Sequence, residues 1–436
     1  MSAREIAAFL ERLRERASER VVPTAHGVAF LAGSYPDVYD ANYLWAEAPA
    51  VGGADLAADA EEALAGSHHR RIVVHDGPPG LAGELASLGV DQSTHLVLAH
   101  EREPDRRVDT PAVSEVALGD LSEARATATL AEPWGDADVA AQLEGVKRLL
   151  AAVVTVRAFA AHADGAVAGW CELYTADGIA QIENVEVLEP FRGRGLGRAL
   201  VQHALDEARR GAGIVFLEAL ADDWPRELYG RLGFVTVDRI DNYTRLPHPL
   251  TRLRLRTPRL ELRLPTVAEL RELYAVAAAG IHDPAEMPFE VPWTDSLDEA
   301  SFLAYHRERR ELAVFLDGSP IGIQGLNVHL PSVHTGSWLG AAHQGRGLGT
   351  EMRAAVLTLA FEHLGAEVAH SGASARNAQS LGVSRKLGYR VTGSRTFSPR
   401  GEPLEHTDLE LRRDDFRSPV PVEVHAPPDL VKLFAT

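Results

Sequence analysis

Residues 181–200 read Gln-Ile-Glu-Asn-Val-Glu-Val-Leu-Glu-Pro-Phe-Arg-Gly-Arg-Gly-Leu-Gly-Arg-Ala-Leu. An apolar, β-branched run ends at Pro190, a loop with three alternate glycines follows, and helix-forming residues continue from Ala199 to Arg209. Glycines let a backbone approach a ligand closely, and consecutive N–H groups at a helix start attract phosphate. The stretch therefore predicts a strand–loop–helix unit that cradles a phosphate group.

A second copy of this unit lies further along the chain. Gln344-Gly345-Arg346-Gly347-Leu348-Gly349-Thr350 follows the apolar pair Trp338-Leu339. Downstream of the two loops come Arg231-Leu232-Gly233-Phe234 and Lys386-Leu387-Gly388-Tyr389. The loops are 345 − 193 = 152 residues apart and the Leu-Gly-aromatic motifs 388 − 233 = 155. Paired motifs at nearly constant spacing indicate an internal repeat of domain size.

Length and composition limit the class of protein. With 436 residues, 45% of them hydrophobic, the chain has room for about two or three globular domains. A formal net charge of −18 argues against nucleic acid or an anionic membrane as main partner. No apolar run reaches the ~18–20 residues of a membrane span, and the N-terminal residues lack a signal-peptide core. We expect a cytoplasmic monomer or homodimer. Cys171 is the single cysteine, which excludes a multi-cysteine metal site, and we expect no metal.

The order of predicted elements divides the chain into four parts. Residues 1–105 alternate helix and strand patterns and predict a small α/β module without a glycine loop. Residues 112–246 predict helices, a hairpin and a β-loop-α-β-α crossover, and residues 253–415 repeat that order. The Pro-rich residues 416–436 predict an extended tail. The expected fold class is α+β, with two mixed-sheet domains and flanking helices after the small module.

The two loops resemble a known family. Arg192-x-x-Gly195-x-Gly197 and Gln344-x-x-Gly347-x-Gly349, with the strand before and the Leu-Gly-aromatic after each, look like the acyl-CoA loop of the GNAT N-acetyltransferase superfamily. The second copy, with Asn377-x-x-Ser380, is similar to the Rim-type branch that acetylates protein N-termini and small amines. Residues 1–105 could be a degenerate half of the same fold, although no motif there indicates it.

Other uses of the glycines remain to be weighed. A P-loop needs Gly-Lys-Ser/Thr and a Rossmann fingerprint needs Gly-x-Gly-x-x-Gly, and neither loop has these residues. Glycines that serve only tight turns are the remaining alternative.

The resemblance implies an acetyl-CoA site in each copy. The amides of residues 193–198 and 345–350 would bind the pyrophosphate. Strand ends 185–187 and 337–339 would line the pantetheine and hold the acetyl carbonyl, where a backbone N–H aimed at an oxyanion is worth roughly 3–4 kcal/mol. The residues implied are Val185, Glu186, Val187, Arg192, Gly193, Arg194, Gly195, Leu196, Gly197 and Arg198 in the first copy, and Ser337, Trp338, Leu339, Gln344, Gly345, Arg346, Gly347, Leu348, Gly349, Thr350 and Asn377 in the second.

The resemblance also implies a catalytic acid. The departing thiolate takes up a proton, so a donor is expected near the thioester. Tyr229 stands where many family members have a tyrosine acid, and plain helix packing is its alternative. Ser384 holds the corresponding place in the second copy, with a helix-surface hydroxyl as the alternative. Asp222 stands where the family often has Asn, whereas Asn377 keeps that residue.

A base is needed because the attacking amine must be neutral. Period-two alternation puts Glu183 on the strand face of Val185 and Val187, and Glu186 on the opposite face with Asn184. Glu183 is the first candidate on resemblance and Glu218 the other, with a solvated or packing glutamate as the alternative reading. The second-copy strand, residues 335–340, has no acid, so His334 or His370 is the candidate there.

Acceptor recognition is expected from the segments before each hairpin. Acids beside aromatics suit a cationic amine, although solvated loop charge is the alternative for any single residue. The first copy offers Trp134, Asp136 and Asp138, and the second offers His282, Asp283, Glu286, Phe289, Trp293 and Asp295.

The sequence therefore predicts an N-acetyltransferase. Acetyl would pass from acetyl-CoA to a primary amine, on a small molecule or a peptide N-terminus, by direct attack in a ternary complex. The alternative is a non-catalytic acyl-CoA-binding sensor or scaffold.

Overall fold

The computed structural model describes residues 2–46, 51–75, 77–110, 112–427 and 429–434. The chain divides into two compact units, Met1–Leu246 (the first unit) and Pro247–Thr436 (the second unit). Each unit is built on one mixed β-sheet with helices against it. The predicted α+β class with two mixed sheets is confirmed.

The first unit alternates helices and strands along its whole length. Its helices are α1 (Ser2–Ala17), α2 (Gly53–Ala63), α3 (Leu81–Ser87), α4 (Ser122–Ala131), α5 (Ala137–Val153), α6 (Leu196–Ala208) and α7 (Pro225–Arg231). Its strands are β1 (Arg20–Pro23), β2 (Gly27–Leu31), β3 (Asn42–Ala46), β4 (Arg70–His75), β5 (Asp91–His100), β6 (Val113–Val116), β7 (Thr155–Ala163), β8 (Ala166–Ala176), β9 (Ile179–Val187), β10 (Ile214–Leu220) and β11 (Phe234–Arg245).

One continuous sheet joins the predicted N-terminal module to the first predicted domain. The strand order is β1-β2-β3-β4-β11-β5-β10-β9-β8-β7-β6. β5 lies between β10 and β11 and pairs antiparallel with both. The buried Phe216 of β10 packs edge-on against Phe9 of α1, with ring centroids 5.6 Å apart. The two predicted parts therefore share both a sheet and a core.

The second unit repeats the β-loop-α-β crossover of the first. Its helices are α8 (Val267–Ala278), α9 (Glu299–Arg309), α10 (Leu348–Thr358), α11 (Ala378–Lys386) and α12 (Leu430–Phe434). Its strands are β12 (Arg254–Arg256), β13 (Leu260–Arg263), β14 (Leu312–Leu316), β15 (Ser319–His329), β16 (Ser332–Leu339), β17 (Val368–Ser374), β18 (Arg390–Phe397), β19 (Leu404–Arg412) and β20 (Glu423–His425).

The second sheet has the order β18-β19-β17-β16-β15-β14-β13-β12-β20. β16 and β17 run parallel, and α10 connects them across one face, where Leu348, Met352 and Val356 are buried in the core. The Pro-rich end of the chain, predicted as an extended tail, contains β20, which pairs with β12, and the short helix α12. Pairing at the sheet edge thus gives part of this segment regular structure.

Among the described residues, no helix is both long and apolar enough to span a bilayer.

Candidate functional site

In each unit two parallel strands separate partway along their length. β9 and β10 pair only from Ile179↔Ile214 to Ile182↔Leu217, although β9 continues to Val187. β16 and β17 pair only as far as His334↔His370, although β16 continues to Leu339. A gap therefore opens in each sheet beside the free ends of β9 and β16, and unpaired strand edges of this kind can accept an extended ligand.

The glycine loop follows directly after each separated strand. Gly193 and Gly195 have φ of 78° and 81°, and Gly345 and Gly347 have φ of 72° and 80°. These left-handed values favour glycine. Gly195 and Gly347 are the N-caps of α6 and α10, so the loops present helix N-termini to solvent. The arrangement fits a pyrophosphate, because an anion is stabilised by the N–H groups and dipole of a helix start.

The first side chain of each loop holds the loop against its strand. Arg192 Nε donates to the Val187 carbonyl at 2.9 Å, and Gln344 Nε2 donates to the Leu339 carbonyl at 2.8 Å. The amide of Thr350, one of those predicted to bind phosphate, donates to the Gly347 carbonyl at 3.2 Å instead. Phosphate binding in the second unit would therefore depend on the amides before Thr350.

The arginines of the first loop are engaged with the protein. Arg194 Nη1 lies 2.8 Å from Asp164 Oδ2, and the buried Arg198 lies 2.8 Å from Asp105. The predicted role of residues 193–198 thus rests on their backbone amides.

The prediction that Glu183 shares a strand face with Val185 and Val187, with Glu186 on the opposite face, is wrong. Glu172 of β8 stands opposite Glu183, and Trp170 stands opposite Glu186, so one extra residue of β9 forms a bulge between them. Asn184, at the bulge, has φ of 52°. A bulge interrupts the period of two, and it places Glu183 and Glu186 on the same face, while Val185 and Val187 pack into the core on the other.

Glu183 and Glu218 lie near one another where β9 and β10 separate. Burial, followed by the Glu218 charge, raises the pKa of Glu183 to about 8. Gln181 Nε2 donates a hydrogen bond to Glu183. Glu218 also faces His95 of β5, and its Oε2 lies 3.9 Å from His95 Nδ1. The structure thus brings both candidate bases together. Glu186 is different, since it pairs with Arg192 at 3.2 Å on the surface.

A buried glutamate that sequence reasoning missed supports this site. Glu172 is fully buried and lies 2.8 Å from Lys147 Nζ and 3.5 Å from Arg125 Nη1. It also accepts hydrogen bonds from Tyr174 Oη at 2.7 Å and Asn184 Nδ2 at 2.9 Å. Its only sequence signal is a single acid within an otherwise apolar strand. The cluster fixes the bulge from which Glu183 projects.

Tyr229 of α7 is buried beside the core of the first unit. Burial, and next the Glu183 charge, raises the pKa of Tyr229 to about 12. Its ring contacts Phe234 edge-on at 6.3 Å. The hydroxyl therefore keeps its proton at neutral pH and lies within the electrostatic reach of Glu183. Asp222 is exposed in the turn after β10.

Ser384, the predicted counterpart of Tyr229, has a different environment. It is fully buried, its Oγ donates to the Ser380 carbonyl at 3.1 Å, and it accepts from Arg353 Nη1 at 2.9 Å. Since its proton is already engaged, its geometry favours positioning over proton donation. Asn377 caps α11, where its Oδ1 accepts from the Ser380 amide at 3.0 Å.

The candidate bases of the second unit lie where β16 and β17 separate. The rings of His334 and His370 are 5.0 Å apart at the last paired position. Burial, and then the charge of His370, lowers the pKa of His334. A histidine that is neutral at pH 7 can accept a proton.

The predicted acceptor residues divide into caps and an aromatic cluster. Asp136 caps α5 by accepting from the Val139 amide at 2.8 Å, and Trp134 is exposed. In the second unit the ring centroid of Trp293 lies 5.4 Å from that of Phe289 and 6.1 Å from that of Trp338 on β16. Three further side chains of the set are held within the segment or by a nearby arginine: His282 bonds Thr294, Asp283 bonds the Ala285 amide, and Asp295 bonds Arg400.

Two open surface cavities, of about 640 and 460 Å³, border residues 175–177, at the end of β8 and the turn into β9. Their lining residues include none of those predicted to act, because the glycine loop follows the opposite end of that strand.

A glycine loop at a helix N-terminus, next to a gap between parallel strands, is the arrangement predicted for an acetyltransferase domain, and both units have it. Comparisons with known proteins agree. Residues 121–234 match the family model described as acetyltransferase (GNAT) family, and residues 259–390 match the one described as acetyltransferase (GNAT) domain. The chain belongs to the GNAT acetyltransferases and carries two such domains in tandem, and acetyl-CoA is the cofactor of this family.

Similar proteins include one curated acetyltransferase. Streptothricin acetyltransferase of Streptomyces lavendulae is 43% identical over 79 residues, which are 17% of this chain and 42% of that protein. The chain thus spans less than half of this relative's length. Among solved structures, a GCN5-related N-acetyltransferase from Kribbella flavida is 22% identical with a TM-score of 0.40, covering 56% of this chain and 95% of that one. A Rim-type ribosomal L7/L12 alpha-N-protein acetyltransferase in complex with CoA is 14% identical with a TM-score of 0.32, covering 36% and 95%.

Proposed function

We propose that the first unit transfers acetyl from acetyl-CoA to a primary amine by direct attack in a ternary complex. The observation that carries this proposal is the carboxyl group of Glu183. It projects from the bulge of β9 at the gap, and its pKa is raised to about 8 by burial and by Glu218. A base of this strength is suited to taking a proton from an ammonium group near neutral pH.

We assign each remaining role to a named part of the first unit. Bound acetyl-CoA supplies the thioester that the amine attacks. Of residues 185–187, the backbone N–H groups on the unpaired edge of β9 would stabilise the oxyanion, and the amides of residues 193–198 would hold the pyrophosphate. Tyr229 keeps its proton until about pH 12 and would donate it to the sulfur that leaves. Holding both reactants in one cleft supplies several kcal/mol.

Direct attack is supported by the position of Cys171. This single cysteine is fully buried, and burial raises the pKa of its thiol far above the usual range. It is therefore unsuited to forming an acetyl-enzyme.

A cationic acceptor is supported by the charges around Glu183. Glu218 adds negative potential there, whereas the buried Glu172 is offset by Lys147 and Asp40 pairs with Arg71 at 2.7 Å. His95 of β5 lies beside Glu218. Residues before 105 thus supply part of the cleft, and we infer that the N-terminal module is a wall of the acceptor site.

The test uses the full chain with acetyl-CoA and a panel of amines: aminoglycosides, polyamines, amino acids, peptides with free N-termini, and streptothricin because of the named relative. Thiol release should accompany a mass gain of one acetyl group on one amine class. Tyr229→Phe should lower kcat for that amine by roughly 10²-fold, and Glu227→Gln, an exposed carboxyl on the same helix, should leave it unchanged.

Calorimetry separates the alternatives. We expect two acetyl-CoA sites per chain. Acetyl-CoA binding without thiol release for any amine, unaltered by Tyr229→Phe, would support the sensor or scaffold instead. No binding at all would contradict both proposals.

A further inference from the structure

Arg353 of α10 is a buried cation with spare hydrogen-bonding capacity. It is 4% exposed, Nη1 donates to Ser384 Oγ at 2.9 Å, and Nη2 donates to Ser337 Oγ at 3.2 Å. Among the residues that the structure describes, its Nε has no hydrogen-bond partner. Burial lowers its pKa, and in the part of the chain that the structure describes no carboxylate pairs with it. Two neutral hydroxyls do not offset the cost of burying a guanidinium, so the site is suited to one anion.

The partners of Arg353 place it at the gap of the second unit. Ser337 lies on β16 beyond the last pair with β17 at His334↔His370. Val383, which precedes Ser384 on α11, lies within 3.5 Å of where a Cβ on Gly349 would stand. Since Arg353 is one helical turn after Gly349, its guanidinium lies deeper in the gap than the phosphate loop.

The first unit has a different set of side chains at the same place. A Cβ on Gly197 would meet Val187 and Leu228, and one on Gly349 would meet Leu339 and Val383. These matching contacts align the two units residue by residue. They set Ser384 against Tyr229, Ser337 against Val185, and Arg353 against the buried Val201.

The second unit therefore has an arginine held by two serines where the first has a tyrosine among valines. Tyr229 is the proposed donor to sulfur in the first unit. An arginine keeps its charge at all ordinary pH values and cannot act as a proton donor in turnover. It can bind an anion by N–H donation instead.

We propose that Arg353 binds the sulfur anion of coenzyme A in the second unit. When an amine nitrogen bonds to the acetyl carbon, the C–S bond breaks and its electron pair stays on sulfur, while the amine proton passes to a base. Arg353 would receive that thiolate without protonating it. The inference rests on CoA binding by the second unit and is independent of the acceptor proposed for the first.

One consequence is measurable without turnover. CoA without its acetyl group can form a sulfur anion, whereas acetyl-CoA cannot. The second unit should therefore lower the pH at which the thiol of bound CoA ionises. The thiolate absorbance of saturating CoA on the full chain is followed against pH, with desulfo-CoA complexes as the blank. One of the two bound thiols should ionise about one pH unit below free CoA, which is about tenfold in its ionisation constant.

Variants assign the effect to this residue. Arg353→Met should abolish the shift and lower the affinity ratio of CoA to desulfo-CoA, by about tenfold at pH values above the ionisation of the unbound thiol. Val201→Met introduces the same residue at the matched position of the first unit. It should keep both the ionisation shift and the affinity ratio. Arg353→Lys should recover part of the shift because it keeps a cation, and it also serves if the methionine variant does not fold.

Two results would overturn the proposal alone: bound thiols that all titrate like free CoA, or an unchanged shift in Arg353→Met. Failure of CoA to bind the second unit would overturn it together with the assignment of the cofactor site there.

Discussion

Glu183 and Glu186 show how surroundings separate two glutamates of one strand. Both lie on the same face of β9 because of the bulge. Glu186 forms an exposed ion pair with Arg192, whereas Glu183 is half-buried near Glu218 and its pKa is raised to about 8. Like charges and burial both disfavour the ionised form. Of the two, only Glu183 is therefore suited to exchange protons with an amine.

We expect the rate of the first unit to follow the ionisation of Glu183. Its carboxylate is the base, so kcat/KM for the amine found in the screen should rise with pH and level off above about pH 8. Glu183→Gln should lower kcat by roughly 10²-fold and remove that rise. A rise that persists in Glu183→Gln would assign the base elsewhere. Glu227→Gln is the control.

The pH dependence of the free energy of unfolding reports the pKa of Glu183 without an assay of activity. The folded pKa of Glu183, about 8, lies above the unfolded value of 4.5. The folded state therefore binds the proton more tightly, and stability from this group is lost as pH rises from 4.5 through about 8. Measured by denaturant titration, wild type should lose stability relative to Glu183→Gln over that window.

At the scale of elements, the bulge in β9 separates what sequence could predict from what it could not. The loops of Gly193 and Gly345, the strands before them and the helices after them were predictable, because glycine spacing and helix composition are local signals. The side-chain faces of β9 were not. They depend on Asn184 taking a positive φ and bonding to Glu172, a contact between strands that no alternation pattern records.

The buried Arg353 and Ser384 pair was hidden for the same reason. Their contact joins α10 to α11, 31 residues apart, and it turns a predicted acid into a support for an arginine.

The bulge itself can be tested at Asn184. Its φ of 52° suits asparagine but is strained for a β-branched residue. Asn184→Val should destabilise the first unit by about 1–3 kcal/mol relative to Asn184→Gly. Both variants lose the hydrogen bonds to Glu172 and Tyr174, so their difference isolates the backbone term. Equal free energies of unfolding in denaturant would show that the positive φ is not retained in solution.

At the scale of the whole molecule, the same close approach of a strand glycine to a carbonyl oxygen of the neighbouring strand occurs at three places. A Cβ on Gly169 of β8 would lie 2.5 Å from the Glu186 carbonyl oxygen, and one on Gly322 of β15 would lie 2.3 Å from that of Trp338. On β2, a Cβ on Gly27 would lie 2.0 Å from the Trp45 carbonyl oxygen. β3 and β4 are parallel and joined through α2, as β9 and β10 are joined through α6. This supports the hypothesis that residues 1–105 are a degenerate half of the same fold.

Sequence could not show how that module is joined to the rest. β5 lies between β10 and β11, more than 100 residues away along the chain, and such long-range pairing leaves no local pattern. One predicted part ends at residue 105 and the next begins at residue 112, yet the strands on either side of this boundary belong to one sheet.

This pairing predicts which fragments fold. Without β5, a fragment of residues 112–246 exposes edges of β10 and β11, and Phe216 loses its packing against Phe9. We expect fragments 1–246 and 247–436 to unfold cooperatively on heating by circular dichroism, and fragment 112–246 to show no cooperative transition. Adding residues 1–105 as a separate chain should restore a cooperative transition if the missing strand pairing is what prevents fragment 112–246 from folding. A cooperative transition of 112–246 at the midpoint of 1–246 would mean that the shared sheet contributes little to stability, and that the N-terminal module is a separate folding unit after all.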